Sequence, residues 1–158
     1  MKPPSLVKYI EFRIGPTPGA QLVNFLWRPL ASASLANFWR YWNPVWSYYL
    51  TYFIYRPLRR FFPPWLSTLF TFMISGCAHG LPASIMTRNS LPIFGTTLWF
   101  ASLGCLVIGT ERWQFSFAFI PKGLRWIVHL TTIVGTNWLT SFLLQWIMTV
   151  KLPHLPTG

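Results

Sequence analysis

Three long stretches without Asp, Glu, Lys or Arg dominate the hydrophobic pattern of the chain. They cover residues 64–86, 91–110 and 126–150. A membrane core about 30 Å thick needs roughly 20 helical residues, and each stretch meets that length. Because lipid offers no hydrogen-bond partner to an exposed backbone amide, each stretch is predicted to be a transmembrane α-helix.

The first 63 residues follow a different pattern, because their apolar segments are short and interrupted. Residues 20–28 and 35–55 are mostly apolar. Prolines interrupt or bound these segments at five positions: Pro29, Pro44, Pro57, Pro63 and Pro64. Proline removes an amide donor and clashes with the preceding turn. The pattern therefore predicts several short helices rather than a further span.

The segment from Phe38 to Tyr55 is unusually aromatic. Ten of its 18 residues are Phe, Trp or Tyr, and no charge lies between Arg40 and Arg56. Aromatic side chains with polar tips favour the headgroup zone of a bilayer. The segment is too short to span, so it is predicted to form an interfacial or re-entrant helix.

Composition places the whole chain in the membrane class. It is 53% hydrophobic and only 9% charged, whereas soluble domains carry about 25% charged residues. The expected fold class is an all-α integral membrane protein with about three transmembrane helices plus short interfacial or re-entrant helices. We expect one domain, with an N-terminal helical region over residues 1–63 and a three-span region over 64–158.

The basic residues predict the orientation of the chain in the bilayer. Thirteen Lys and Arg face only two acids, Glu11 and Glu111, and the basic residues lie between apolar stretches. This placement favours anionic lipid headgroups and excludes nucleic acid. Eight basic residues precede the first span and three lie in residues 111–125, so both regions are predicted to be cytoplasmic. With no apolar signal-peptide core near the N-terminus, we expect a bacterial inner (cytoplasmic) membrane.

His79, in the stretch SGCAHG of the first span, is the strongest candidate for chemistry. An ionisable residue inside a span is costly and is by default a functional candidate. The alternative is a neutral histidine that bonds to a neighbouring helix. By contrast, His129 is predicted to be interfacial and His154 to be solvated. Cys77 and Cys105 are expected to be buried free thiols.

No metal site is predicted, because no C-x-x-C or similar ligand spacing occurs in the sequence. No carboxylate lies inside a span. This argues against an acidic proton path and against a Ser-His-Asp triad.

Two stretches resemble a known family. FWRYWNPVWSYYLTYFIYRPL, which begins at Phe38, resembles the F-W-R-x-W-N signature of membrane-bound O-acyltransferases. TFMISGCAHGLP resembles the next spanning helix of that family, which carries its histidine. The resemblance covers about residues 35–86 and indicates a partial fold, similar to the C-terminal catalytic half of the family.

The resemblance implies a reaction and roles for individual residues. These enzymes move an acyl group from a thioester, often acyl-CoA, to a hydroxyl group, with no covalently bound cofactor. His79 would be the general base. Asn43 would orient the acyl donor or the histidine, or stabilise the developing oxyanion. Arg40 and Arg56 would lie near the phosphates of the donor.

The size of the chain leaves its activity open. Members of the family have more spans and enclose a tunnel, which three spans cannot enclose alone. The chain is therefore expected to form a homo-oligomer, to pair with another membrane protein, or to serve as a catalytically inactive accessory subunit. In the last case it would belong to a larger assembly, such as a photosynthetic or respiratory complex.

Overall fold

The computed structural model describes residues 3–151, with side chains described up to residue 149. All regular secondary structure in this range is helical. The α-helices are α1 Leu6–Ile14, α2 Pro18–Leu30, α3 Leu35–Tyr41, α4 Pro44–Tyr49, α5 Arg56–Leu58, α6 Pro64–Thr87, α7 Leu91–Arg112 and α8 Arg125–Lys151. A π-helix, Leu50–Tyr55, joins α4 to α5, and a 3₁₀ turn, Lys122–Leu124, precedes α8.

The three predicted spans are confirmed. Helices α6, α7 and α8 contain 24, 22 and 27 residues, and at 1.5 Å per residue each exceeds the membrane core of about 30 Å. All three are apolar enough to cross a membrane. Their ends lie within two residues of the charge-free stretches in the sequence, because the flanking charges stop each apolar stretch.

Helices α6 and α7 form an antiparallel pair at very short range. A Cβ atom on Gly76 would lie 2.7 Å from the carbonyl oxygen of Thr96, and one on Gly80 would lie 2.5 Å from the Cα atom of Ile93. The Thr96 hydroxyl donates a hydrogen bond across the pair to the Gly76 carbonyl at 2.9 Å. The two glycines are therefore required by helix packing, as small residues commonly are between membrane helices.

Short helices occupy the N-terminal region, as predicted. Proline lies in the first turn of α2, α4 and α6, where its missing amide costs no hydrogen bond. Pro29, in contrast, lies inside the last turn of α2. The aromatic segment is two helices, because the chain turns at Trp42 and Asn43, between α3 and α4.

Helix α3 packs against the membrane spans. Leu35 belongs to a buried cluster with Val107 of α7 and Phe117 of the following loop. Trp39 lies edge-on to Phe72 of α6, with ring centroids 5.4 Å apart. This packing anchors the N-terminal region on the α6–α7 pair and confirms that short helices accompany the three spans.

Three successive carbonyls, Ala31, Ser32 and Ala33, fasten the N-terminal region to the α7–α8 connection. The Ala31 carbonyl accepts a hydrogen bond from Arg125 at 3.1 Å, and the Ser32 carbonyl accepts one from His129 at 3.0 Å. The Ala33 carbonyl accepts the backbone amide of Phe117 at 2.7 Å. We call this set of contacts the carbonyl clasp.

Candidate active site

A cavity of about 440 Å³ lies between the aromatic segment and the α6–α7 pair. His79, Asn43 and Arg40, which the sequence singled out separately, all line it. The three residues come from α6, from the α3–α4 turn and from α3. Folding therefore brings three of the four predicted site residues to one space.

The His79 ring is held by its own helix and by Phe100. Its Nδ1 atom lies 2.7 Å from the Ser75 carbonyl oxygen, four residues earlier in α6. Because a carbonyl oxygen only accepts hydrogen bonds, Nδ1 carries the proton and a neutral ring keeps its free lone pair on Nε2. The ring stacks on Phe100 with centroids 4.9 Å apart. The arrangement fixes the tautomer that a proton acceptor needs.

His79 is exposed in the isolated chain, and within the described residues it lacks the hydrogen bond to a neighbouring helix that was the alternative to a functional role. Its hydrogen bond is to its own helix, and one side of the ring is open in the isolated chain. An uncovered imidazole is unfavourable at membrane depth. The open side is therefore where a bound molecule or another chain would contact the ring.

Asn43 has a structural role that the sequence motif did not reveal. Its backbone lies in the left-handed region, with φ 43° and ψ 77°. Its side-chain oxygen accepts the Trp46 amide at 3.1 Å and caps the N-terminus of α4. Asparagine suits both demands, since it tolerates left-handed φ and caps helices well. Because the oxygen is used, the Nδ2 amide group is the part available to donate to another molecule.

Trp46 links Asn43 to His79, and sequence reasoning missed it. Its backbone amide is capped by Asn43, and its indole Nε1 donates to the Ser75 hydroxyl at 3.0 Å. The indole also lies edge-on to the His79 ring, with centroids 5.5 Å apart. Ser75 is 3% exposed and Trp46 is 37% exposed, so this bond is partly shielded from solvent. Trp46 thus positions the α3–α4 turn against the helix that carries the histidine.

Three charged residues line the cavity, and two of them, Arg40 and Glu111, also lie together at a neighbouring cleft. Arg40 and Arg13 line the cavity with Glu111, whereas Arg56 does not line it. The Arg56 guanidinium instead lies over the Tyr52 ring, 4.3 Å from its centroid. Arg13 was not singled out from the sequence, yet its buried Nε has no hydrogen-bond partner within the described part of the chain. Two cations and one anion give the cavity a positive balance.

His129 lies in the packed core, so its ring faces protein neighbours and not lipid headgroups, whereas its predicted interfacial depth stays a prediction. It is fully buried, stacks on Phe38 at 4.8 Å and bonds to the Ser32 carbonyl. His129 does not line the cavity. His154 lies outside the described residues.

Both cysteines are free, as expected, but neither is buried. Cys77 is half-buried and lies 3.1 Å from the Thr97 hydroxyl, whereas Cys105 is exposed. Cys105 is exposed because its side of α7 has no protein neighbour in the described chain.

Comparison with known proteins extends the resemblance beyond the two motifs. The family model of the membrane-bound O-acyltransferases matches residues 8–113. The match begins in α1 and ends just after α7, so it contains every residue of the cavity. The chain belongs to the membrane-bound O-acyltransferase family. No curated protein and no solved structure matches it significantly.

Proposed function

We propose that the chain transfers an acyl group from a thioester donor to a hydroxyl acceptor, with His79 as general base. The observation that carries the proposal is the state of the His79 ring. Its Nδ1 is tied to Ser75, and Nε2 is left as acceptor in a cavity that also contains Asn43. A histidine with one nitrogen anchored and the other free is the usual arrangement of a base.

The chemical step follows from these roles. The acceptor hydroxyl gives its proton to His79 Nε2 as its oxygen bonds to the thioester carbonyl carbon. The carbon–sulfur bond then breaks, and the thiolate takes the proton back from the imidazolium. Asn43 Nδ2 donates a hydrogen bond to the carbonyl oxygen while negative charge develops on it. The products are an ester and a free thiol.

The donor is proposed to be acyl-CoA or another acyl thioester that binds without a covalent link. Glu111 and Phe100 are 11 residues apart on α7, which places Glu111, with Arg40 beside it, about 16 Å along the helix axis from the level of His79. A donor with its phosphate group at Arg40 and its thioester at His79 would span this distance. Arg13 fits the same phosphate role better than Arg56 because it lines the cavity.

The test is release of free CoA from palmitoyl-CoA by the protein in lipid vesicles. His79→Ala is expected to abolish release while the folded yield stays unchanged. Ile74→Ala is the matched control, since Ile74 lies on the same helix, is 41% exposed and does not line the cavity. If the His79→Ala variant releases CoA at the original rate, His79 is not the general base.

A second candidate is an accessory subunit that keeps the fold without the reaction. The observation in its favour is the exposure of His79, because three spans leave the ring partly uncovered. Native mass spectrometry in mild detergent separates the candidates. A monomer or small homo-oligomer with bound acyl-CoA supports the enzyme, whereas a fixed stoichiometry within a larger complex supports the accessory role. We propose a cytoplasmic N-terminus on the charge distribution given above, and a bacterial inner (cytoplasmic) membrane stays the proposed location.

A further inference from the structure

Helix α8 carries a row of three polar side chains on its exposed side. Asn137, Ser141 and Gln145 are spaced four residues apart, and all three are exposed in the isolated chain. Each four-residue step turns an α-helix by only about 40°, so the three side chains lie along one face. We call this row the α8 polar stripe. Helix α8 lies outside the family match and does not line the cavity, so the proposed reaction leaves the stripe unexplained.

The side of α8 that faces α7 satisfies its polar groups within the chain. The Trp99 indole of α7 donates hydrogen bonds to the Ile133 carbonyl at 3.2 Å and to the Thr136 hydroxyl at 3.1 Å. Within the described residues, the hydrogen bonds of α8 side chains belong to Arg125, His129 and threonines. The α8 polar stripe takes part in none of these bonds.

The stripe lies at the depth of the hydrocarbon core. Asn137 is 12 residues after Arg125 and 14 residues before Lys151, the two charges that bound the span. These separations correspond to about 18 and 21 Å along the helix axis, which places Asn137 near the middle of the bilayer. Lipid offers no hydrogen-bond partner to a carboxamide at that depth. Between membrane helices, Asn, Gln and Ser side chains bond across the contact, so the stripe requires another helix.

We propose that the α8 polar stripe is the contact between two copies of this chain, which pack α8 against α8 in a parallel dimer. Copies inserted in the same orientation are related by a two-fold axis along the bilayer normal, so each residue lies at the depth of its own counterpart. A carboxamide both donates and accepts hydrogen bonds. Asn137 and Gln145 can therefore each pair with the same residue of the second copy. The stripe is complementary to itself, and an unrelated chain would need polar residues at the same two depths.

Apolar residues on the same face extend the contact toward the N-terminus of α8. Ile127, Leu130 and Val134 precede Asn137 at successive steps of three, four and three residues, and Ser141 follows after four. The three apolar side chains are between 43% and 64% exposed. Alternating steps of three and four residues are typical of the contact between two left-handed supercoiled helices. A single asparagine in such a contact fixes its register and the number of chains.

Disulfide cross-linking of the purified protein in lipid vesicles tests the contact. Cys77 and Cys105 are first replaced by alanine, and Ser141→Cys is then introduced. Leu139→Cys is the matched control, because Leu139 is 50% exposed on the same helix. It lies only about 3 Å from Ser141 in depth but points about 160° away from it around the helix. Mild oxidation is carried out at several lipid-to-protein ratios, and the dimer is measured on a gel without reductant.

Ser141→Cys is expected to give a cross-linked dimer whose yield does not fall when the protein is diluted with lipid. Leu139→Cys should form disulfides only by collision, and dilution should abolish them. Equal cross-linking of the two variants at every ratio, or no dimer with Ser141→Cys, would overturn the inference.

A second variant tests the hydrogen bonds themselves. Asn137→Leu combined with Gln145→Leu keeps the side-chain size and places apolar residues in an apolar medium, so the variant is expected to fold. Its dimer dissociation constant, from single-molecule photobleaching in vesicles, should rise about tenfold, since two interhelical polar pairs are lost. Leu139→Ala, on the opposite face, should leave the constant unchanged. A double-leucine variant that dimerises as well as the original chain would contradict the proposed pairs. Neither measurement requires acyl transfer, so the result is independent of the proposed reaction.

Discussion

Asn43 is the residue whose structural and chemical roles can be separated by substitution. Its backbone has φ 43°, and its side-chain oxygen caps α4 through the Trp46 amide. Alanine loses both features. Glycine restores the left-handed backbone, and aspartate keeps the cap while it loses the Nδ2 donor. These three variants therefore separate the backbone, the cap and the donor.

The magnitudes follow from the geometry at this turn. Loss of the cap costs about 1 kcal/mol. Holding an alanine in the left-handed backbone region costs about 1–2 kcal/mol more. We therefore expect Asn43→Ala to lower the free energy of unfolding by about 2–3 kcal/mol. Asn43→Gly should cost only about 0.5 kcal/mol, since glycine is a tolerated N-cap residue and accepts this φ. Asn43→Asp should be nearly as stable as the original chain.

The assay is thermal unfolding in detergent, followed by tryptophan fluorescence, with CoA release measured on the same samples. If Asn43 also stabilises the oxyanion, Asn43→Gly and Asn43→Asp will fold and yet lose turnover. If the role is structural alone, turnover will follow stability in all three variants. Asn43→Ala unfolding at the same temperature as the original chain would refute the structural reasoning.

Two further predictions concern packing. Gly80→Ala should destabilise the α6–α7 pair by about 3 kcal/mol or more, because its Cβ would meet the backbone of α7 at 2.5 Å. The control is Gly109→Ala, which should be neutral in the same unfolding assay because a Cβ atom at Gly109 would lie in open space. Arg125→Ala should cost about 2–3 kcal/mol, because its guanidinium donates to the carbonyls of Ile120, Ala31 and Ala118. Arg112→Ala, at an exposed position, is the control. If the two arginine variants are equally stable, the contribution of Arg125 to the carbonyl clasp is contradicted.

The spans were predictable from the sequence because their signal is local. A charge-free stretch of sufficient length has one stable structure in lipid, and the observed helices end within two residues of the predicted limits. The short N-terminal helices were predictable for a similar reason, since proline acts on the turn that contains it. Neither prediction required knowledge of distant contacts.

The features that were missed depend on distant partners. His129 is buried because the Ser32 carbonyl, 97 residues earlier, meets its ring, and no local pattern marks that contact. Arg13 reaches the cavity through the packing of α1 on α4, for which Tyr9 and the Ser47 hydroxyl provide a hydrogen bond at 3.1 Å. The π-helix also has no sequence signal of its own, because its residues read as an ordinary aromatic helix.

The two motif residues differ in what the fold requires of them, and this bears on whether the chain is an enzyme. Asn43 would be retained for its left-handed turn and its cap even without chemistry. His79 bonds to a carbonyl of its own helix and packs against the Phe100 and Trp46 rings, contacts that do not depend on a free Nε2 atom. An apolar residue at that position would be favoured at membrane depth. The proposed role as general base accounts for a free Nε2 atom at this position, and the His79→Ala experiment decides between that role and the accessory one.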